Sequence, residues 1–360
     1  MNVMDIKISP VNESRLSTVD FSDLPFGQIC SDHMFVMDYA DGQWKQGEIL
    51  GIEKFHIHPA NLSLHYGQSI FEGMKASKHV DGTPLLFRLE DHAARFNASA
   101  ARMCMPEVPN EVFKQAIKSL VDLDRAWIPP SEGSSLYIRP FMFATEEFIG
   151  VRPSSSFKFV IFTCPVGPYY SKPVSLLAED TFVRATPGGI GEAKTAGNYA
   201  ASLYPAKIAQ EKGYVQVMWM DPYEFKYIQE VGTMNIFFII DGKAYTPGLN
   251  GAILKGITRA SVLELLKDQG IEVVEEALSI DFVIENYNKG LLQEVFGSGT
   301  AAEISPVHKI AAKGIEMNLD TANYKLAPSL KAHVEGLRTG IIEDKFAWVE
   351  RVEESAAILA

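Results

Sequence analysis

A lysine lies in the glycine-rich stretch Pro187-Gly188-Gly189-Ile190-Gly191-Glu192-Ala193-Lys194-Thr195, which continues as Ala196-Gly197-Asn198-Tyr199. The residues that follow, 200–213, are predicted to form a helix that ends in glycine. A lysine in this setting can be a nucleophile that forms a Schiff base, or a fixed charge that holds a phosphate. A lone lysine after a flexible turn is more often an ordinary exposed side chain. A functional role for Lys194 therefore depends on the residues around it.

The same stretch nearly matches a nucleotide-binding P-loop. Residues Gly188–Thr195 fit the pattern G-x-x-x-x-G-K-[ST], except that Ala193 replaces the second glycine. Met218-Trp219-Met220-Asp221 resembles the apolar strand and metal-binding carboxylate that such enzymes use. Against this alternative, Ala193 falls where the backbone must wrap tightly, and Asn198 and Tyr199 have no role in it. A nucleoside triphosphatase therefore stays open as a competing hypothesis.

Three further segments suit a phosphorylated pyridine ring. Gly256-Ile257-Thr258-Arg259 opens the predicted helix Ile257–Asp268, whose first N–H groups favour an anion. Phe296–Glu303 is predicted to be a strand that ends in a small-residue loop with hydroxyls. Glu230, before Gly232, can keep a ring nitrogen protonated, as pyridoxal phosphate requires. Taken singly, each segment is more simply a turn, a helix cap or an exposed glutamate.

Composition restricts the class of protein. The chain has 360 residues, of which 47% are hydrophobic, and a formal net charge of −12. This charge argues against a nucleic acid partner, because phosphate backbones require a basic face. Cys30, Cys104 and Cys164 are widely spaced and form no CxxC or zinc pattern, His56-Ile57-His58 alternates as a strand does, and the N-terminal stretch has no apolar signal core. We therefore expect a cytoplasmic enzyme or binding protein without a metal and without a membrane segment.

Short strands with local turns favour an α+β fold over regular βαβ alternation. The predicted elements include strands at His33–Tyr39 and Trp44–Leu50 around an Asp41-Gly42 turn, a helix at Glu90–Met103, and an antiparallel pair formed by Phe225–Val231 and Met234–Asp241 around Gly232. Pro165–Pro173, with three prolines and a glycine, is predicted to be a linker between two domains.

Taken together, these segments resemble the branched-chain aminotransferases, which belong to the class IV (fold-type IV) family of pyridoxal-phosphate enzymes. The resemblance runs through Phe26-Gly27, Ser31–Met34, Leu64–Ala76, Leu136–Pro140, Lys194–Tyr199, Glu230–Asn235, Leu254–Arg259 and Ser298–Ala301. It covers nearly the whole chain, and so many motifs in one order make chance agreement very improbable.

The resemblance implies a two-domain fold and a dimer. A smaller N-terminal α/β domain would comprise residues 1–165, an interdomain loop 166–175, and a larger C-terminal cofactor-binding domain with a β-barrel-like core 176–360. Pyridoxal 5'-phosphate would lie between the domains. A homodimer is expected, with Val151 reaching the substrate pocket of the partner subunit.

The resemblance also assigns roles to residues. Lys194 would carry the cofactor as a Schiff base and transfer the proton, Tyr199 would bind the ring hydroxyl, and Glu230 would pair with the ring nitrogen. The remaining cofactor contacts would come from Arg95, Leu254, Gly256, Ile257, Thr258 and Thr300. The substrate would meet Phe26, Tyr66, Phe71, Tyr137, Arg139, Val151 and Tyr169, and its carboxylate would meet the backbone near Thr233, Met234 and Ala301.

The implied reaction is a ping-pong transamination between L-leucine, L-isoleucine or L-valine and 2-oxoglutarate. Within the same fold, D-amino-acid aminotransferase, R-selective amine transaminase and aminodeoxychorismate lyase are alternatives, and a catalytically silent binding protein is another. The segments Tyr66–Ala76 and Tyr137–Pro140 favour the branched-chain group. One departure is visible: some family members carry a redox CxxC after the Gly-Thr loop, where this chain has Ala302-Glu303-Ile304-Ser305. That redox switch is expected to be absent.

Overall fold

The computed structural model describes residues 6–170 and 172–355. Ser171, which falls in the predicted interdomain loop, and residues 1–5 and 356–360 lie outside the described residues. The chain divides into two compact units, and each is described by itself. The first contains residues 6–169, 194–196 and 335–355, and the second contains 170, 172–193 and 197–334. The predicted domain boundaries stay a prediction.

The described chain contains nineteen strands and seven α-helices. The strands up to residue 170 are β1 (Lys7–Ile8), β2 (His33–Ala40), β3 (Gln43–Trp44), β4 (Glu48–Gly51), β5 (Ser69–Phe71), β6 (Met74–Lys78), β7 (Pro84–Phe87), β8 (Ser135–Ala144) and β9 (Phe157–Val166). The later strands are β10 (Val174–Ala178), β11 (Gln216–Met220), β12 (Ile228–Val231), β13 (Asn235–Ile240), β14 (Lys243–Pro247), β15 (Val273–Glu276), β16 (Leu292–Gly299), β17 (Glu303–Ala312), β18 (Ile315–Asn318) and β19 (Val349–Arg351). The helices are α1 (Leu62–Tyr66), α2 (Leu89–Arg102), α3 (Asn110–Leu123), α4 (Ala196–Glu211), α5 (Ile257–Asp268), α6 (Ile280–Asn288) and α7 (Leu326–Thr339).

The first unit is built on a sheet in which β1, β4, β2, β9, β8, β6, β7 and β19 are neighbours in that order. Strand β3 pairs with β2, and β5 pairs with β8. The predicted turn at Asp41-Gly42 is confirmed, since both residues have positive φ and Ala40 pairs with Gln43. The predicted strand Trp44–Leu50 is interrupted, with β3 ending at Trp44 and β4 beginning at Glu48.

Helices α2 and α3 supply much of the core that covers this sheet. Phe96 of α2 and Phe113 of α3 have ring centroids 5.2 Å and 5.8 Å from that of Phe159 on β9, and all three rings are fully buried. Burying a phenylalanine contributes roughly 1.5–3 kcal/mol relative to leaving it exposed. The predicted helix Glu90–Met103 is confirmed within one residue at each end.

The second unit is built on a sheet in which β12, β11, β10, β17, β16, β13, β14 and β15 are neighbours in that order, with β18 paired to β17. The predicted helix Ile257–Asp268 is confirmed as α5. The predicted antiparallel pair around Gly232 is confirmed only at its turn, where Val231 and Met234 form an antiparallel bridge, and no ladder between β12 and β13 continues from it among the described residues. Strand β12 pairs instead with β11, and β13 with β14 and β16, where longer ladders are available.

Within the described part of the chain, none of the helices combines the length and hydrophobicity that a bilayer crossing requires.

Candidate functional site

The backbone of Lys194 is fixed from both sides in the first unit. The Phe71 N–H donates to the Lys194 carbonyl at 3.0 Å, and the Lys194 N–H donates to Ser99 Oγ at 3.0 Å. The next residue, Thr195, forms a bridge with Ile70 of β5. Strand β5 and the Ser99 side chain of α2 therefore define where the lysine side chain begins, which suits a group that must reach a set position.

The Lys194 amine lies beside an aromatic and cationic cluster. Its Nζ is 4.9 Å from the ring centroid of Phe71, and the Arg139 guanidinium lies 4.7 Å from the same centroid. Arg139 also donates from Nη2 to the Tyr137 hydroxyl at 3.0 Å. Rings attract cations through their negative faces, so Phe71 helps to hold both positive groups in place.

Two further rings extend this cluster. The Phe26 ring packs edge-on against Tyr137 at 5.1 Å and against Tyr169 at 4.9 Å. Tyr137 is buried, whereas Phe26 and Tyr169 are each 37% exposed, so the cluster is open along one edge. A Cβ on Gly73 would lie 2.1 Å from the Tyr137 hydroxyl, so glycine is required for the ring to occupy this position.

A buried polar triad lies next to these rings in sequence. The Glu72 carboxylate accepts from Arg95 Nε at 2.6 Å and Nη2 at 2.9 Å, and from His92 Nδ1 at 2.8 Å. Burial raises the pKa of the Glu72 carboxyl, but the charge and hydrogen bonds of Arg95 and the His92 hydrogen bond outweigh it and hold that pKa well below its usual range. The two parallel bonds fix the plane of the Arg95 guanidinium.

His92 is neutral in this setting. Burial lowers the pKa of His92, the nearby cations Arg95 and Lys194 lower it further, and the opposing effect of Glu72 is smaller. Because the Glu72 carboxylate only accepts, the proton of the neutral ring must be on Nδ1. The triad thus contains the negative charge of Glu72 and the positive charge of Arg95, and neutral His92 donates a further hydrogen bond to the carboxylate.

Two substrate residues predicted from the resemblance lie apart from this cluster. Tyr66 ends α1, is 38% exposed, and has a described ring contact with His65 at 6.1 Å. Val151 lies in the segment between β8 and β9 and is 88% exposed. The cluster in the first unit therefore brings together Phe26, Phe71, Tyr137, Arg139, Tyr169 and Lys194, and leaves Tyr66 and Val151 at the surface of the chain.

In the second unit, Glu230 lies near the end of β12 as a buried carboxylate with several partners. It accepts from the Leu254 N–H at 2.8 Å and from Asn235 Nδ2 at 3.1 Å. Its other oxygen forms an ion pair with Arg184 Nη2 at 2.7 Å, and both side chains are less than a tenth exposed. Arg184 in turn donates to the Ala252 carbonyl at 2.6 Å. A cation this close favours the ionised form of a buried carboxyl group.

The start of α5 forms an anion-binding geometry close in sequence to Leu254. Gly256 is the N-cap, and no side chain caps the helix there. A Cβ on Gly256 would lie 1.9 Å from Asn235 Oδ1, so the glycine lets the helix terminus approach the amide that contacts Glu230. Ile257 and Thr258 follow as the first two helical residues, and both are buried. Their N–H groups lie at the positive end of the helix dipole.

The loop from β16 to β17 supplies the remaining residues predicted for this unit. A Cβ on Gly297 would lie 2.7 Å from Met234 Sδ, so this glycine lets Met234 pack directly on β16. Thr300 and Ala301 follow in the loop and are partly exposed. Ser298 Oγ is buried and has no hydrogen-bond partner among the described residues. Thr233 is exposed beside Met234, and Tyr199 is partly exposed near the start of α4.

Sequence reasoning did not assign roles to Glu72, His92, Arg184 or Asn235. A signal existed for one pair: His92 and Arg95 are three residues apart in a predicted helix, which puts them on one face. Glu72 was visible only as part of a longer motif, and nothing local to Arg184 indicates its pairing with Glu230. Glu72 and Arg95 are 23 positions apart, and Arg184 and Glu230 are 46 positions apart.

Comparison with known proteins places the chain among amino-group-transferring enzymes. The profile of the family described as "Amino-transferase class IV" matches residues 69–310. The chain is 46% identical over 338 residues to "Branched-chain-amino-acid aminotransferase 2" of Bacillus subtilis, covering 92% of this chain and 93% of that protein.

Comparison with solved structures gives the same family as the sequence comparisons. The branched-chain amino acid aminotransferase of Escherichia coli superposes with a TM-score of 0.75 at 29% identity, covering 89% of this chain and 99% of that one. The T.th. branched-chain amino acid aminotransferase, in complex with N-(5'-phosphopyridoxyl)-L-glutamate, superposes with a TM-score of 0.72 at 27% identity, covering 88% of this chain and 98% of that one. The expected fold-type IV architecture is confirmed.

Proposed function

The chain belongs to the class IV aminotransferases, and on that premise we propose that it transfers the amino group of L-leucine, L-isoleucine and L-valine to 2-oxoglutarate. The products are branched-chain 2-oxo acids and L-glutamate. The observation that carries the proposal is the apolar, aromatic wall of Phe26, Phe71 and Tyr137, in which Phe71 belongs to β5, the strand whose backbone bonds to that of Lys194. An aliphatic side chain suits such a wall.

The enzyme uses pyridoxal 5'-phosphate. When bound, this cofactor stores the amino group between the two half-reactions, and its ring accepts the electrons left as the substrate Cα proton departs. The residues present fit this group. An uncapped helix terminus with a glycine that a Cβ would obstruct suits the phosphate, and the buried carboxylate of Glu230 suits the ring nitrogen.

Lys194 acts as the catalytic residue in this proposal. Its amine would hold the cofactor when the cofactor is bound and, once free, would carry the proton that leaves the substrate Cα. The fixed backbone of Lys194 supports this role, because the amine must reach the same atom in both half-reactions.

The other cofactor residues would orient the cofactor and balance the charges of its phosphate and ring. Arg95, Thr258, Thr300 and the N–H groups of Ile257 and its neighbours hold the phosphate, as Gly256 allows. Tyr199 would donate to the ring hydroxyl, and Glu230, whose carboxylate accepts the Leu254 N–H, would keep the ring nitrogen protonated. Support for the ring assignment comes from the donors that hold Glu230, since a carboxylate held in this way stays ionised.

The substrate residues divide into an apolar wall and a polar rim. The hydrocarbon side chain contacts Phe26, Phe71, Tyr137 and Tyr169, with Tyr66 at the margin. Arg139 accommodates the longer acidic chain of 2-oxoglutarate. The common α-carboxylate is bound by backbone groups near Thr233, Met234 and Ala301. Support for a shared pocket comes from Arg139, whose guanidinium is already held between the Phe71 and Tyr137 rings.

We propose that the enzyme is a homodimer in the cytoplasm. Val151 of each subunit contributes to the pocket of its partner, which would explain why this valine is 88% exposed in the single chain. Three free cysteines suit a reducing compartment. Light scattering should give the mass of a dimer, and Val151→Asp should raise KM for L-leucine. A fully active monomer would contradict the assembly.

The assay that tests the function compares amino donors with 2-oxoglutarate as acceptor. L-leucine, L-isoleucine and L-valine should each give L-glutamate, and D-alanine should not. Lys194→Ala should lose activity and the pH-sensitive visible absorption band, whereas Lys207→Ala, an exposed lysine on α4, should retain both. Activity with D-alanine alone would overturn the substrate assignment. Normal turnover by Lys194→Ala would overturn the assignment of the lysine.

A further inference from the structure

Two cysteines that are 134 positions apart lie together in the first unit. Cys164 Sγ is 3.8 Å from Cys30 Sγ. The segment of Cys30 is anchored to β9 by its neighbour, because the Ser31 N–H donates to the Thr163 carbonyl at 2.8 Å and the two hydroxyl groups of this pair are 2.6 Å apart. The proximity of the thiols therefore follows from backbone pairing and buried hydrogen bonds.

The two thiols differ in access. Cys164 is buried, whereas Cys30 is half-buried and lines a cavity of about 440 Å³ together with Arg15, Asp20, Gln28 and Trp127. A small polar reagent can enter this cavity and reach Cys30 first. Cys164 is buried beside Cys30, and its sulfur is within 3.8 Å of the Cys30 sulfur.

The two thiols also differ in acidity. The hydrogen bond from Cys164 lowers the pKa of Cys30 to about 7, burial opposes this, and the Arg15 cation lowers the pKa further. The same hydrogen bond and burial raise the pKa of Cys164 far above its usual range. The lowered pKa of Cys30 favours its thiolate, which is the reactive form of cysteine.

We propose that Cys30 and Cys164 form a reversible thiol oxidation site whose oxidant is a hydroperoxide of the size of hydrogen peroxide. The Cys30 thiolate attacks one peroxide oxygen, the O–O bond breaks, and hydroxide leaves, so that Cys30 becomes a sulfenic acid. The Cys164 sulfur then attacks the Cys30 sulfur, the S–O bond breaks, and water leaves with the Cys164 proton. Two thiols and one peroxide give one disulfide and two waters. A small dithiol reverses the reaction.

Oxidation at this site is linked to the aromatic cluster. Cys164 is the direct register partner of Tyr137 on β8, and Phe26, whose ring packs on Tyr137, belongs to the same segment as Cys30. Bond formation must shorten the sulfur separation from 3.8 Å to about 2.05 Å. We expect this shortening to draw the segment of Cys30 toward β9 and to shift Phe26 on the Tyr137 ring.

The test uses purified holoenzyme carrying Cys104→Ser, which removes the exposed third thiol, and brief treatment with hydrogen peroxide. The expected result is loss of both remaining thiols per chain, a mass decrease of two hydrogen atoms, and a peptide joining the segments of Cys30 and Cys164. KM for L-leucine should rise more than kcat falls, and dithiothreitol should reverse all of these changes.

Two variants in the same background test the order of events. Cys164→Ser should stop at a sulfenic acid on Cys30, which dimedone traps, and Cys30→Ser should resist peroxide. The proposal is overturned if Cys30 and Cys164 stay reduced under doses that oxidise Cys104 in the unsubstituted enzyme, or if Cys164 reacts before Cys30. Because thiol content and the linked peptide are measured independently of turnover, this outcome is distinct from failure of the proposed aminotransferase activity. A disulfide that leaves KM unchanged would overturn the link to Phe26.

Discussion

The Glu72 carboxylate accepts two parallel hydrogen bonds of 2.6 Å and 2.9 Å from the Arg95 guanidinium, and Glu72 is fully buried. An arginine proposed to hold a phosphate is thus already oriented by a buried carboxylate. Breaking the Glu72–Arg95 pair should destabilise the folded protein. The negative charge of Glu72 also offsets part of the positive charge that Arg95 presents to a ligand.

Glu72→Gln should destabilise the cofactor-free enzyme more than the loaded enzyme. Removing one partner of a buried ion pair costs about 3–5 kcal/mol, because it leaves the other charge uncompensated. A bound phosphate dianion would compensate Arg95 in the variant, so pyridoxal phosphate should raise the melting temperature of Glu72→Gln by more than that of the wild type. Calorimetry with and without cofactor measures this difference.

The control for that experiment is Glu90→Gln, on an exposed position of the same helix where the glutamate pairs with Lys114. It should melt within a few degrees of the wild type in both states, since exposed pairs contribute about 0–1 kcal/mol. Equal cofactor stabilisation of wild type and Glu72→Gln would show that Arg95 does not face the phosphate.

His92 should make stability fall on mild acidification. Its folded pKa lies below the ordinary value of 6.5, so the unfolded chain binds a proton there that the folded chain does not. Stability is therefore full above pH 6.5 and is lost as the pH falls through 6.5 toward the folded pKa. Urea midpoints between pH about 7 and about 5 should fall in the wild type and fall less steeply in His92→Gln.

Glu72 should cause a second loss of folding stability at lower pH. Its folded pKa lies below the ordinary value of 4.5, so this contribution is present above 4.5 and is lost as the pH falls below it.

His56→Gln, at an exposed histidine in the segment before α1, is the control for the loss of stability that is assigned to His92. If His92→Gln and His56→Gln change the slope equally, the neutral state assigned to His92 is wrong.

Arg184→Met should lower kcat by at least about tenfold while changing KM little, since losing a charge interaction of about 1.4 kcal/mol corresponds to a factor of ten in rate. Without the Arg184 cation, Glu230 keeps the hydrogen bonds from Leu254 and Asn235 but loses its ion pair. The pKa of Glu230 should then rise, because a nearby cation favours the ionised carboxylate. A neutral Glu230 would no longer keep the cofactor ring nitrogen protonated. The pH dependence of kcat should therefore shift toward higher pH.

Two companion variants separate positioning from general damage. Arg184→Lys should recover part of kcat because it restores a cation near Glu230, and Lys243→Met, which removes an exposed ion pair with Glu272, should retain the wild-type pH profile. A parallel loss in Arg184→Met and Arg184→Lys, with an unshifted profile, would assign Arg184 a purely structural role.

Gly256→Ala should weaken cofactor binding. Its Cβ would lie 1.9 Å from Asn235 Oδ1, and the Asn235 amide donates both to Glu230 and to the Leu254 carbonyl. The added methyl group must displace one of these contacts or the start of α5. Gly248→Ala, where the nearest atom would be 3.4 Å away, is the control. Titration of each variant with pyridoxal phosphate, followed by absorbance, gives the Kd values, and equal values would refute the prediction.

Local patterns predicted the parts of this molecule that depend on neighbours in the chain. The Gly256 helix start and the Asp41-Gly42 turn were visible because capping and positive φ are properties of a few consecutive residues. The resemblance then supplied candidate roles for Lys194 and Glu230 that composition and spacing alone left open between a Schiff base and a phosphate contact.

The missed features all depend on partners distant in sequence. Gly232 predicted a hairpin, but the pairing stops after the Val231–Met234 bridge, and β12 and β13 pair with other strands, which no local pattern encodes. Arg184 carries no signal of its own, because an isolated arginine looks the same whether it is exposed or bonded to Glu230. Cys30 and Cys164 are 134 positions apart, and a spacing of that length gives no sign that the two thiols touch.

The last strand, β19, pairs with β7, and Arg351 bonds to Asp81 across 270 positions of chain. A ribosome that has made the residues of β7 must therefore add most of the remaining chain before this edge of the sheet can close. Until then the edge of β7 is an unpaired strand, which a chaperone or another nascent chain can contact. Truncations that remove Val349–Arg351 should consequently be recognised as incomplete products and degraded, even though these residues lie far in sequence from Lys194.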